Sequence, residues 1–143
     1  MKIFNIYWWK NIFRETKWFI QRGKRGWSDQ DVWGVDWYLS DILPPMLKKL
    51  KNDMHSIPGW QKDEPEEVAQ ERWDKYFDDI LFAWESQQKI CQGDWFYFTG
   101  KDKIKAEKYF KNKSEYYVMT KEECERYRKG MKFFIKYLNC LWD

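Results

Sequence analysis

The sequence predicts a mainly α fold: a compact helical bundle of four main helices, with a short aromatic extended segment before the last helices. Three observations carry this expectation. Apolar residues recur three and four positions apart through most of the chain, which is the helical period. Capping patterns stand ahead of several of these stripes, and Gly- or Pro-containing stretches separate them. A length of 143 residues suffices for one core without staples, so a single helical domain over 1–143 is expected.

In chain order, Ile3, Phe4, Tyr7, Trp8, Ile12, Trp18 and Phe19 give an interrupted stripe for a first helix over residues 3–20. Trp9 and Phe13 widen it beyond one face. Such a helix either packs on two neighbours or, being basic as well as aromatic, lies on an anionic membrane surface; packing on neighbours is the expectation. The segment Gln21 to Trp27 (QRGKRGW) then breaks the helix with two glycines, and Ser28 with Asp31 has capping-box spacing for a second helix starting at about Asp29. Its predicted core stripe is Val32, Val35, Leu39, Ile42, Leu43, Met46 and Leu50, with a kink or break at Pro44 and Pro45 and an end near Lys51.

Asp63 as cap, Pro65 at the first helical position and Glu66 in the box open a third helix that runs to about Ile90. Trp73, Phe77, Ile80, Leu81 and Trp84 form its core stripe, and Asp74, Asp78 and Asp79 its wet side. Gln92 and Gly93 end it. Asp94 to Gly100 (DWFYFTG) reads as a strand or extended loop, Lys101 to Lys113 as a short basic helix, and Ser114 to Met119 as extended. A capping box at Thr120 and Glu123 opens the last helix, whose stripe is Cys124, Tyr127, Met131, Phe134, Ile135, Leu138 and Leu141. Gly130 beside that stripe permits close approach of another backbone, and Trp142 and Asp143 are expected to be docked.

Composition bounds the partners. Eleven Trp, nine Tyr and ten Phe bring the aromatics to 21% in a chain that is 34% charged. So many rings exceed what one small core readily hides, which predicts a homo-oligomer that uses the first helix. The net charge of +3 conceals a basic start over residues 1–25, acidic stretches from Ser28 to Leu47 and from Asn52 to Asp79, and a basic end from Lys101. The basic ends either pair with the acidic middle, within or between subunits, or form a local positive surface. Cys91, Cys124 and Cys140 are odd in number and widely spaced, as reduced thiols are. Lys2, Lys10, Arg14, Glu15 and Lys17 interrupt the apolar start, so neither a signal peptide nor a membrane span is expected.

No catalytic motif is present. His55 is the lone His, reading as polar loop surface, and no Ser or Cys has a nucleophile's neighbours. Asp78 and Asp79 point about 100° apart on a helix and cannot pair. Asp29 and Asp31 read as acids at a helix N-terminus before they read as Mg²⁺ ligands, so neither metal nor cofactor is expected. Asp36, four after Val32 and three before Leu39, is placed at the core face; it should be largely buried and bonded to Arg22, Arg25 or another cation, or else serve as a ligand-site carboxylate. The best functional candidate is the loop itself. Arg22, Lys24 and Arg25 offer charge for phosphate, and Trp27 and Trp33 offer stacking faces. Against this stands a structural use, with Trp27 a hydrophobic staple and the arginines bracketing acids.

The run Arg22-Gly23-Lys24-Arg25-Gly26-Trp27-Ser28-Asp29-Gln30-Asp31-Val32-Trp33, continuing through Asp36-Trp37-Tyr38-Leu39 to Ile42-Leu43-Pro44, resembles a widespread family of small, functionally uncharacterised bacteriophage proteins. Weaker echoes are Gly59 after a proline, Trp73 with Asp78-Asp79-Ile80 and Ala83-Trp84-Glu85, and Lys129-Gly130 with Phe134 and Leu141-Trp142-Asp143. Together they cover about half of the chain, and Trp95 to Met119 lies outside the pattern. The resemblance implies a phage product made in the cytoplasm of the infected bacterial host; it carries over no functional residue. The resulting expectation is a non-enzymatic counter-defence protein, homo-oligomeric, that binds and sequesters a nucleotide-like anionic signal through Arg22, Lys24, Arg25, Trp27 and Trp33. The alternative is a protein-protein inhibitor of a host defence component, or a virion-assembly accessory, whose aromatics form an interface.

Overall fold

The structure, a computed structural model, describes residues 6–54, 57, 58, 64–110 and 116–141. It is mainly helical, and its two strands hold two residues each. Contacts divide the chain into two units, Met1–Tyr38 and Leu39–Asp143. His55, the Asp63 cap, the tail of the basic helix at Lys111 to Lys113, and Trp142 and Asp143 lie outside the described residues.

In the first unit, helix α1 spans Ile6–Arg25, so it passes through Gly23 where a break is predicted. Its last turn carries Arg22, Lys24 and Arg25, which suit the negative end of the helix dipole. The bonds of Arg22 to Asp31 and of Arg25 to Asp29 offset the roughly 1 kcal/mol that an internal Gly costs. The chain leaves the helix at Gly26, whose φ of 80° is in the left-handed region and whose N–H reaches the Arg22 carbonyl at 2.9 Å. Ser28 then donates its N–H to Asp31 Oδ2 at 2.7 Å and its hydroxyl to the same oxygen at 2.9 Å. This is the acid's half of the predicted capping box, and it opens a 3-10 turn, Asp31–Gly34, instead of an α-helix.

Helix α2 follows over Val35–Asp53 and ends in the second unit. It runs through Pro44 and Pro45 without the break that is one of the two outcomes expected there, and Pro44 is buried. The buried positions are Ser40, Pro44 and Leu47, flanked by Leu39, Leu43 and Leu50, whereas Val32, Val35 and Met46 are exposed. The inward face therefore includes a Ser and a Pro, which a reading by hydrophobicity discounts. Asp36 corrects the same expectation: it is exposed, not buried. It sits in the first turn of α2, one turn before burial of that face starts at Ser40, where an acid is favoured by the helix dipole.

Helix α3, Glu66–Gln92, is the spine of the second unit, with Pro65 at the cap position, not inside the first turn. Trp73, Phe77, Ile80 and Trp84 are buried as predicted. A left-handed Gly93 closes it, with N–H bonds from Gly93 to Ile90 and from Asp94 to Lys89 at 3.1 and 3.0 Å. Strand β1, Trp95–Phe96, pairs in parallel with β2, Tyr117–Val118, and the crossover between them contains α4, Gly100–Tyr109. A parallel pair needs such a crossover.

Helix α5, Lys121–Tyr137, opens on the predicted capping box, Thr120 Oγ1 accepting from the Glu123 N–H at 3.1 Å and Glu123 Oε2 from the Thr120 N–H at 2.9 Å. It packs along α3 through Trp73 on Tyr137, Tyr76 on Phe133 and Trp84 on Phe134, with ring centroids 5.2, 4.2 and 5.1 Å apart. Gly130 makes the close approach possible. A Cβ there would lie 2.7 Å from the Asp79 carbonyl carbon and 2.8 Å from Ala83 Cβ. Phe133 and Tyr137 take the inward places, so Ile135 and, in the 3-10 turn Leu138–Cys140, Leu138 are exposed and not in the core as expected.

Candidate functional site

The basic aromatic loop is built by the last turn of α1 and the residues that fold back on it. Arg22 grips Asp31 in a bidentate pair, Nε to Oδ2 at 2.9 Å and Nη2 to Oδ1 at 2.5 Å. Asp31 is 8% exposed and also accepts both bonds from Ser28. Arg22 first, and then Ser28, hold its carboxyl well below the usual carboxylate range, against the opposing effect of burial. One turn on, Arg25 pairs with Asp29, donates Nε–H to the Trp27 carbonyl at 3.0 Å and lays its guanidinium 3.7 Å from the centre of the Trp27 ring. Gln21 and Lys17 also bond to Asp29, at 2.7 and 3.3 Å. Gln21, Arg25 and Lys17 lower its pKa to about 2.

Of the five predicted ligand residues, three are thus committed to the loop's own architecture. Arg22 and Arg25 hold aspartates, and Trp27 is covered on one face by Arg25. Lys24 is exposed and makes no ion pair among the described residues. Trp33, 94% exposed, makes no ring or cation contact among them. The arginine bracket expected around Asp36 exists, but its acids are Asp31 and Asp29. Those two carboxylates face separate cations, and no group of three His, Cys, Asp or Glu residues converges as metal ligands among the described residues.

The chain matches no protein-family model, no curated protein and no solved structure. The geometry alone therefore orders the candidates.

A second site lies in the second unit, where α2 and the C-terminal end of α5 leave an apolar groove of about 730 Å³. Leu43, Met46, Leu50, Phe134, Leu138 and Leu141 line it, and Lys49 paired with Asp53 sits at its polar edge. The helical period predicts Met46 and Leu138 in the core; their exposure is the signal of this groove, and only the three-dimensional pairing of α2 with α5 reveals it.

Asp79, predicted on the wet side of α3, is buried instead. It is 6% exposed and held by Arg126 Nε at 2.8 Å and Lys129 Nζ at 2.9 Å. Burial raises its pKa, but the Lys129 and Arg126 bonds outweigh that and keep it lowered. Beside it, Tyr127 donates to Gln87 Oε1 at 2.6 Å, and Tyr97 donates to the Tyr127 oxygen at 3.1 Å. Burial, and then Tyr97, push the Tyr127 phenol up, so it stays protonated. Both groups are satisfied inside the α3–α5 joint and act as its polar clamps. Cys91, Cys124 and Cys140 are free thiols. No helix among the described residues is long and apolar enough to cross a membrane.

Proposed function

We propose that the chain is a non-enzymatic phage accessory protein that works by occupying a host protein, the inhibitor reading of the sequence. The observation that carries it is the α2–α5 groove: half-buried Leu43, Leu50, Phe134 and Leu141 beside exposed Met46 and Leu138, with the Lys49–Asp53 ion pair at the edge. Such a groove suits the apolar face of an amphipathic helix, read by anchors one turn apart. Phage origin, counter-defence and action in the host cytoplasm rest on the resemblance of Arg22 to Trp33. The test is capture from extracts of the bacterial host by the full-length chain, with a Met46→Asp/Leu138→Asp variant as comparison. One protein retained at fixed stoichiometry and lost with the variant, at unchanged helicity, supports the reading. Equal capture by both chains would defeat it.

Sequestration of a nucleotide-like anion is the second reading, and Trp33 with Lys24 favours it: an exposed indole in the 3-10 turn and, in the last turn of α1, a cation with no ion pair among the described residues. Subunit association, expected from the aromatic content, would have to supply the remaining charge, because Arg22 and Arg25 already serve Asp31 and Asp29. Heat-denaturing protein recovered from infected, defence-carrying cells and analysing the supernatant by mass spectrometry tests it. An intact nucleotide released from the wild type but not from Lys24→Ala/Trp33→Ala supports sequestration; an empty supernatant removes it.

A further inference from the structure

Helix α1 separates its side chains by chemistry. At 100° per residue, Trp9, Ile12, Phe13, Phe19 and Ile20 fall within a sector about 120° wide, and the only other residues in that sector are Thr16 and Gly23. All five apolar side chains are exposed, Phe13 at 71% and Phe19 at 77%. The cause is the loop. Asp29 and Asp31 fold against the opposite, charged side of α1, where Lys17, Gln21, Arg22 and Arg25 bond to them, so the aromatic sector is turned away from that loop. Along one border of that sector run Lys10, Lys17 and Lys24, seven residues apart and therefore in a row. Glu15 is the only acid in the helix.

We infer that α1 docks flat on an anionic lipid surface. Aromatic and aliphatic side chains in one sector, lysines at its border and low overall hydrophobicity are the properties of a helix that lies in the membrane interface. Its lysines reach the headgroups while their stems cover apolar surface. Charge decides against a second copy of α1 as the occupant. In an antiparallel pair the two lysine rows would meet each other, and in a parallel pair the row would face Glu15 and Arg22, of which only Glu15 answers it. An anionic surface answers Lys10 and Lys24 at once, while Lys17 between them also bonds to Asp29. This docking is independent of the α2–α5 groove.

The test is co-sedimentation of the full-length chain with vesicles of phosphatidylglycerol and phosphatidylethanolamine, and with vesicles of phosphatidylcholine alone. Binding to the anionic vesicles, weakening as salt rises, and little binding to the zwitterionic ones is expected. Phe13→Ser/Phe19→Ser should abolish it with the helical signal retained. Lys10→Gln/Lys24→Gln, which leaves every ion pair to Asp29 and Asp31 in place, should weaken it at least about tenfold. No binding to either vesicle overturns the inference. So does equal binding to both, or a dimer in light scattering that Phe13→Ser/Phe19→Ser dissociates, since a second copy would then be the cover.

Discussion

Asp31 holds the loop of the first unit to α1 through one fork of Arg22 and two bonds from Ser28. Removing its charge leaves that fork facing an uncharged amide. We expect Asp31→Asn to cost about 1–3 kcal/mol in urea unfolding, less than for a fully buried pair because water reaches the Arg22 side chain, 46% exposed. Acid should have the same effect. Asp29 and Asp31 both have folded pKa values below their ordinary 3.8, so their contribution is complete above about pH 4 and is lost as pH falls through the folded values, about 2 for Asp29. Amide resonances of residues 21–34, followed from pH 6 to pH 2, should shift before those of α3. A simultaneous collapse of both would contradict this. The arginine–acid bracket was legible in kind, since two arginines close to four aspartates must find partners. Which aspartate was not legible, because the choice depended on α1 continuing to Arg25 and on the 3-10 turn at Asp31, both set by the bracket itself.

The joint of α3 with α5 rests on a missing side chain. At Gly130 a methyl group would press on the Asp79 carbonyl and on Ala83, so the helices must separate or shift. We expect Gly130→Ala to lose about 1–3 kcal/mol and lower the melting temperature, despite Ala being the better helix former. An unchanged melting temperature would show that the helices yield freely. Thr120→Ala, which removes one cap bond at the start of the same helix, should cost about 1 kcal/mol and serves as the scale. Helix α3 was readable because twenty-seven residues repeat one period between a clear start and a left-handed Gly. Helix α2 was readable as a helix but not by face, since Ser40 and Pro44 point inward and Val35 and Met46 do not. The groove was not readable at all. It belongs to α2 and α5 jointly, and periodicity describes each helix alone.

At the scale of the whole chain, stability is unevenly supplied. The fully buried apolar residues, from Leu47 to Cys124, all belong to the second unit, while the buried side chains described in the first are Ser28 and Asp31. Hydrogen exchange should therefore be slowest between Trp73 and Trp84 and in α5, and faster throughout α1, with the α1 rates rising further in high salt as its ion pairs are screened. Equal protection of α1 and α3 would refute this division. The three thiols extend the contrast into time. Cys140 is exposed, Cys91 partly covered, and Cys124 is buried with its sulfur accepting the Phe98 N–H at 3.3 Å. A maleimide should consume Cys140 at once and Cys91 next, but Cys124 only as often as the segment after β1 lifts from α5. That last, slow reaction makes a single sulfur atom a clock for how frequently this seam opens.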